Sequence, residues 1–402
     1  MLYNIGIRLY HLGVVLASLF NSKAKLWVEG RKGMIEQIEA TTSGFQGETL
    51  WVHVASLGEF EMARPIMEQL KNSEPRLRII LTFFSPSGYE VRKNYRSADH
   101  VFYLPLDTPS NAKRFVKTIK PTKVIFVKYD LWFHYLKQAK LFGAKLMLIS
   151  AQFRPEQPYF KFYGSVGKQA LGFFDQIFVV DQNSVALLSA IGITHVQVCG
   201  DTRYDRVMEM ARSEEKLETI EKFKGESNLV VCGSTWTEDI ELISKCVTRF
   251  SNTKWIIAPH EVGEDNISRL EKQLSQTTRY SKFNEDDSLV LIIDSIGLLN
   301  KIYRYADVAY VGGGFRTGLH NIFEATAYGV PTVFGPDTSR FPDAEELAMK
   351  GLAFKVKNEK QFEAMVNQLL AEDQIDLKAK IQSFMQSRTG ATQTILQYTE
   401  HC

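Results

Sequence analysis

The sequence predicts an α/β protein made of two Rossmann-like halves in tandem. Three observations lead there. From Gly33 onward, short β-rich runs alternate with helical patterns, and several runs are apolar without alternation, as parallel strands covered on both faces are. A polar, charged stretch at Met208–Ser227 interrupts the pattern, which then starts again. The 402 residues exceed one compact core and suit two domains of about 200 residues each.

The chain opens differently. Residues 1–20 hold no acidic side chain. Placed on a helix, Asn4, Arg8, His11 and Ser18 form one narrow polar stripe, and most of the remainder is apolar, Leu2, Ile5, Leu9, Leu12, Leu16, Leu19 and Phe20 among them. Lys23, Lys25, Arg31 and Lys32 follow. The charge-free run Leu12–Phe20 is well short of the ~20 residues that span a bilayer. No small-x-small cleavage site precedes Lys23, which argues against a removed signal peptide. The expectation is a helix over residues 1–22 lying in a membrane interface, its basic cluster facing anionic headgroups. An amphipathic helix packed on its own domain, and a single span with Arg8 reaching the surface, are the other arrangements.

The first half, residues 23–207, carries strand patterns at Leu50–Ala55, Leu77–Phe83, His100–Leu104, Lys123–Val127, Lys145–Ser150, Gln176–Val180 and Val196–Cys199, with helical stretches such as Pro109–Ile119 and Gln182–Ile191. The second half, residues 208–402, repeats the theme. Strands are expected at Asn228–Cys232, Lys254–Ala258, Ser288–Ile293, Val308–Val311, Pro331–Phe334 and Gly351–Val356. Helices fit Thr237–Phe250, Ile296–Tyr305, His320–Tyr328 and Glu359–Ala371. Such folds place their sites at the carboxyl ends of strands, here in a cleft between the halves.

Charge and cysteines narrow the function. Lys plus Arg is 48 and Asp plus Glu 46, a net +2, so nothing in the bulk charge seeks nucleic acid. Cys199, Cys232, Cys246 and Cys402 show neither metal-ligand nor redox-pair spacing, and Cys199 and Cys232 sit in apolar runs as buried thiols do. A reducing cytoplasm follows as the default compartment.

Several strand ends carry chemistry. Gly312, Gly313 and Gly314 close one strand, and His320, Asn321 and Glu324 follow where a helix is expected to begin. Glycines let backbone approach a ligand, and a helix N-terminus suits a phosphate. Asn321 and Glu324 share a face of the first turn, with Glu324 placed for ribose hydroxyls. A turn is the plainer reading. Gly233-Ser234-Thr235 forms a second small-residue strand-to-helix turn, fit for a phosphate or carboxylate, or simply a helix cap at Ser234 or Thr235. Pro259-His260 ends the next strand. In the first half, Glu59 lies in Ser56-Leu57-Gly58-Glu59, near a helix start, where the anion is stabilised and a general base is suited. On the residues alone helix capping is the favoured reading, and Pro65 leaves open where the helix begins. Lys128 and Arg203 lie at strand ends where a leaving phosphate needs positive charge, and surface ion pairing is the alternative for each. There is no Asp-x-Asp, no paired His at ligand spacing and no Gly-x-Ser-x-Gly, so metal-dependent glycosyl transfer and serine hydrolysis lose support.

The ordered set of motifs resembles the 3-deoxy-D-manno-octulosonic acid (Kdo) transferases, from the N-terminal segment to about Phe354. It comprises Ser56–Glu59, Tyr103-Leu104-Pro105-Leu106-Asp107, Val198–Asp205, Gly233–Thr235, Pro259-His260, Asp294–Gly297, Gly312–Glu324 and Phe334-Gly335-Pro336. The resemblance implies the two-domain GT-B glycosyltransferase fold. It implies an inverting, metal-independent transfer of Kdo, without a cofactor, from CMP-Kdo to the 6'-hydroxyl of a tetraacylated lipid A precursor (lipid IVA). This would occur at the cytoplasmic side of the inner membrane, in lipopolysaccharide assembly. Glu59 would be the base, and Arg203 falls where the family has a lysine that stabilises the transition state. Pro259-His260, Ile296-Gly297-Leu298 and Asn321–Glu324 fall on the family's CMP site.

Departures are specific. The family reads Glu-Thr-Glu-Leu-Trp-Pro where this chain has Lys128-Tyr129-Asp130-Leu131-Trp132-Phe133, so either Lys128 supplies charge directly or Asp130 substitutes. Family Asn-Ala-Arg is Ser150-Ala151-Gln152, with Arg154 two residues on, and Pro-Arg-His is Pro259-His260-Glu261. Two rival functions remain at this stage: another GT-B activity such as a sugar-nucleotide epimerase, or a catalytically silent nucleotide-binding protein.

Overall fold

The computed structural model describes residues 2–212, 215–250, 252–285, 287–316, 318–339, 341–371 and 373–400. Thr317 of the glycine-rich stretch and Cys402 lie outside them. The chain divides into two compact units: Met1–Arg206 with Arg388–Cys402, and Val207–Ser387.

The first unit is built on strands β1 (Thr49–Val54), β2 (Arg78–Phe83), β3 (His100–Tyr103), β4 (Lys123–Val127), β5 (Lys145–Ala151), β6 (Gln176–Val179) and β7 (Val196–Val198). All pair in parallel, in the order β3-β2-β1-β4-β5-β6-β7. Every residue of β1, β2 and β4 is buried, which is why these segments are mainly apolar without alternation. Trp51 of β1 packs edge-on against Phe115, Phe126 and Tyr135 at 4.9 to 5.7 Å. At the sheet edge β7 is largely exposed, and Cys199 after it is only half-buried, short of the full burial its apolar run suggested. Burial and the neighbouring Asp201 and Asp205 still push its thiol up to about 12.

The helix Pro109–Ile119 illustrates how sequence specifies an element. The Thr108 hydroxyl accepts from the Asn111 N–H, Pro109 occupies the first turn, and Lys120 ends the helix in the left-handed region at φ 47°. Ala112, Phe115, Val116 and Ile119 recur at helical spacing and are buried on the sheet. Each of the three larger side chains contributes roughly 1.5–3 kcal/mol by burial.

The second unit carries β8 (Asn228–Thr235), β9 (Thr253–Pro259), β10 (Thr277–Arg279), β11 (Val290–Ile292), β12 (Val308–Val311), β13 (Thr332–Phe334) and β14 (Ala353–Lys355). It is again all parallel, in the order β10-β11-β9-β8-β12-β13-β14. Strand β10 is polar, half-buried and at the edge, so it lacks the apolar signature of its neighbours. In each sheet the strand order reverses beside the first strand, between β1 and β4 and between β8 and β12. Open α/β sheets bind ligands at such switch points.

Three expectations change. The boundary falls inside the helix Thr202–Arg212, not in a linker over 208–227, and the C-terminal segment rejoins the first unit, so residues 208–402 are not one domain. Ile395, Leu396 and Thr399 of the helix Ala391–Glu400 are buried, and this helix packs on Leu57–Ser73. At the other terminus two helices, Leu2–Ala17 and Ser22–Glu29, replace one over 1–22, because the Asn21 side chain caps the second by accepting the Ala24 N–H at 3.1 Å.

The first of these helices turns Tyr3, Asn4 and Ile7 toward the unit. The Tyr3 hydroxyl donates to Asp107 at 2.6 Å, Asn4 meets His134 Nε2 at 2.6 Å, and Tyr10 lies over Trp27 and Phe84. Leu2, Leu9, Leu12, Leu16, Leu19 and Phe20 are exposed, Phe20 at 93%. No helix among the described residues is long and apolar enough to cross a membrane. Arg31 does not join a basic outer face. Its guanidinium donates to the carbonyls of Trp27, Leu104 and Phe84 and lies 3.9 Å from the Trp27 ring centroid. Burial pulls its pKa down to about 9.

Candidate active site

In the first unit the residues of interest sit where β1 and β4 end side by side. After β1, Ser56 takes extended geometry and the helix Leu57–Ser73 begins, so Pro65 lies within it. Glu59 is the third helical residue, half-buried, and its carboxylate accepts a hydrogen bond from the Ser56 hydroxyl. Lys128, directly after β4, is held at φ 59°, and its N–H donates to the Ile149 carbonyl at 3.0 Å. Ser150 after Ile149 and Ser234 in the second unit share this left-handed geometry at strand ends, with φ 52° each. Strain of this kind in non-glycine residues is held only where surrounding structure over-determines it, and it concentrates at functional sites.

Asp130 turns inward. Its carboxylate lies 2.7 Å from Nε2 of His53, a residue of β1 with no exposed surface, and Trp132 Nε1 lies 3.1 Å from the same nitrogen. His53 Nδ1 meets the Thr82 hydroxyl at 2.9 Å. This triad escaped sequence reasoning because its members lie 77 and 79 residues apart.

Arg203 opens the helix Thr202–Arg212. Its Nε and Nη2 donate to Asp201 at 2.9 and 2.7 Å, and its backbone N–H donates to the other carboxylate oxygen at 2.9 Å. The guanidinium is thus paired in this conformation with a buried carboxylate. Asp205 of the same motif accepts the N–H groups of Gly390 and Thr392, anchoring the returning C-terminal helix.

In the second unit, Gly233, Ser234 and Thr235 are not a turn. Strand β8 runs through them, with a bulge between Gly233 and Thr235. Neither Ser234 nor Thr235 caps the next helix. Trp236 does, with its N–H donating to Asp239 at 2.8 Å. Asp239 also accepts from the Gly313 N–H at 3.0 Å and the Tyr310 hydroxyl at 2.5 Å. Burial raises its pKa. The spacing of three between Trp236 and Asp239 was a legible capping signal, whereas the indole at the cap had none.

Close packing explains the glycines. A Cβ on Gly312 would stand 2.5 Å from the Ser234 carbonyl and 2.7 Å from Asp239, and one on Gly313 (φ 89°) would stand 2.4 Å from the Gly318 carbonyl. A Cβ on Gly314 would strike the Gly335 backbone at 2.8 Å. Backbone packing requires these glycines before any ligand does. The helix expected over His320–Tyr328 is a single turn, Phe323–Thr326, because the His320 N–H is tied back to the Gly312 carbonyl. One turn supplies little dipole, so the phosphate argument from a helix N-terminus falls. Asn321 precedes it, accepting the Phe323 N–H and donating to Glu324 at 3.3 Å. Ile296, Gly297 and Leu298 likewise form a loop, with Gly297 at φ 92° and Ile296 87% exposed; the helix starts at Leu299.

Three rings gather at this end of the sheet. Trp236 stacks on His260 at 4.4 Å, His260 stacks on His320 at 4.8 Å, and the Trp236 indole donates to His320 Nε2 at 2.9 Å. Burial, with His260 next to it, pulls His320 down to about 4, so it is neutral at physiological pH. Pro259 is the last residue of β9 beside this stack. The arrangement offers flat ring surfaces and backbone amides, which suit a nucleotide.

Residues 28–206 match the family model for 3-deoxy-D-manno-octulosonic-acid transferase (kdotransferase). The chain is 31% identical to the 3-deoxy-D-manno-octulosonic acid transferase of Aquifex aeolicus, over 80% of this chain and 86% of that protein. The chain belongs to this transferase family. It is a glycosyltransferase. The Haemophilus influenzae member is 25% identical over 86% of this chain and 85% of its own. Among solved structures, the UDP-GlcNAc 2-epimerase of Neisseria meningitidis superimposes on the transferase with a TM-score of 0.60 at 15% identity, covering 89% of this chain and all of that one. MurG of Acinetobacter baumannii superimposes with 0.58 at 12% identity, over the same shares. These likenesses establish the GT-B fold and do not favour an epimerase, since they carry no sequence kinship.

Proposed function

We propose that the transferase moves Kdo from CMP-Kdo to the 6'-hydroxyl of a lipid A precursor, with inversion and without a metal, at the cytoplasmic face of the inner membrane. Glu59 takes the proton of the acceptor hydroxyl. The acceptor oxygen then bonds to the anomeric carbon, and the bond from that carbon to the CMP phosphate breaks, its electron pair leaving with the phosphate. Lys128 stands at the switch point beside β1, the strand that leads to Glu59, and supplies positive charge to the departing phosphate. Arg203 contributes by sharing its guanidinium between Asp201 and that phosphate. In the second unit, His260, His320, Asn321 and Glu324, with the strand end Gly233-Ser234 and the loops Ile296–Leu298 and Gly312–Gly314, hold the nucleotide.

The observation that carries this reading is the carboxylate of Glu59 at the carboxyl end of β1, in a chain of this family. The membrane assignment draws on the exposed aliphatic face of Leu2–Ala17, the absence of any acidic residue before Glu29, and the nearby Lys23 and Lys25. Glu59→Gln tests the base: transfer to lipid IVA, read by mass spectrometry, is expected to be lost while CMP still binds within about twofold of wild type. Turnover retained in that variant refutes the assignment.

A further inference from the structure

The β8 bulge leaves a buried hydroxyl without a hydrogen-bond partner beside a cavity. Along this strand Val230 and Cys232 face Ile240, Ile267 and Leu270, whereas a Cβ on Gly233 would meet Tyr303 and Leu299 on the other face. An unbroken strand would point Thr235 the same way as Gly233. Ser234, at φ 52°, takes up the extra residue and turns Thr235 to the opposite side. There Thr235 is 3% exposed, and its hydroxyl has no hydrogen-bond partner. Buried hydroxyls are seldom left so.

Thr235 lines a cavity of about 200 Å³ between the helices Thr237–Ser244 and Glu264–Gln273. Trp236, whose ring stacks on His260, forms part of its wall, and Arg269, Asn266 and Gln273 line it from the second helix. Arg269 is oriented by a 2.5 Å bond to Asn266, which is itself held by the Glu261 carbonyl at 2.6 Å. That uses one guanidinium N–H and leaves the others to a ligand. Glu261, which is exposed, is the one acidic residue of the lining, and the Arg269 guanidinium with the Thr235 hydroxyl and side-chain amides suits an oxyanion. The volume falls below that of pockets that hold whole cofactor-sized ligands.

We propose that this cavity is the recognition site for the carboxylate of the transferred sugar acid, with Arg269 and Thr235 as its binding residues. The proposal rests on the Kdo transfer reading above, since only a donor carrying a sugar acid has such a group beside its nucleotide.

The test measures donor dependence of transfer for wild type, Arg269→Gln and Thr235→Val, with CMP as a competing ligand. Arg269 is exposed and valine is isosteric with threonine, so both variants are expected to fold. The expected result is a rise in KM for CMP-Kdo of about tenfold to a hundredfold for Arg269→Gln and a smaller rise for Thr235→Val. The inhibition constant of CMP, which lacks the carboxylate, stays within twofold. Equal weakening of CMP overturns the proposal and assigns the cavity to the phosphate. Unchanged KM in both variants overturns it outright. If wild type itself transfers nothing from CMP-Kdo, the underlying function fails instead, a separate and recognisable outcome.

Discussion

Asp239 is the residue whose removal the second unit should feel most. One of its oxygens, Oδ2, accepts both the Trp236 and the Gly313 N–H groups, and the other accepts the Tyr310 hydroxyl. Asp239→Ala strands two buried donors, Gly313 N–H and Tyr310 O–H, at about 1–3 kcal/mol each, and removes a helix cap worth about 1 kcal/mol. With mid-range values the sum is on the order of 5 kcal/mol. Asp239→Asn is the informative control. Its amide oxygen takes the Oδ2 place and keeps both backbone bonds, while its NH2 donates to the Tyr310 oxygen. Only charge assistance is lost, and the penalty of burying a carboxylate is relieved, so the change stays near 1 kcal/mol. For a domain of 150–250 residues each kcal/mol moves the midpoint about 2–4 °C. Calorimetry of the full chain should therefore find a transition lowered by roughly 10–20 °C in the alanine variant and by under ~4 °C in the asparagine variant. Donor KM should rise only in the former. An alanine variant that melts with wild type, or an asparagine variant as damaged as alanine, refutes the clamp.

Two other expectations concern the histidine stack and the N-terminal helix. His320, held down to about 4, should keep its neutral imidazole resonance in NMR titration until well below pH 6.5. The unfolded chain binds that proton first, so the contribution is fully present above pH ~6.5 and is lost as pH falls toward 4, on the order of 1–2 kcal/mol after allowance for partial exposure. Titration near 6.5 contradicts the burial argument. Replacing Leu9, Leu12 and Leu16 with Ser should abolish co-sedimentation with vesicles containing phosphatidylglycerol while leaving thermal stability unchanged, because these side chains contact solvent. Undiminished vesicle binding removes the interface reading.

Much of this fold was legible in the residues. Lys123–Val127, Val308–Val311, Pro109–Ile119 and Glu359–Ala371 are found with the bounds the sequence indicates, because burial on both sheet faces or a well-defined cap marks their ends. Elements shaped by distant partners were not. Strand β10 exists only through its pairing with β11, and the helix expected at His320 is cut short by a bond to Gly312. Arg31 reads as one of a basic cluster until three carbonyls and an aromatic box are seen around it. Of the candidate site, the positions at strand ends could be read and the partnerships could not. Nothing in Gly200–Asp205 announces that Asp201 holds Arg203 while Asp205 holds the C-terminal helix.

The return of Ala391–Glu400 to the first unit makes the order of synthesis matter. The ribosome completes Val207–Ser387 before the last helix of the earlier unit exists, a delay of roughly ten to forty seconds at bacterial elongation rates. Through that interval the groove that receives Ile395 and Leu396, beside Leu57–Ser73, stays open and apolar. The unit made first is therefore the one finished last. A truncation or bulky fusion at the C-terminus would act on the stability of the half that carries Glu59, not on the half it adjoins in sequence.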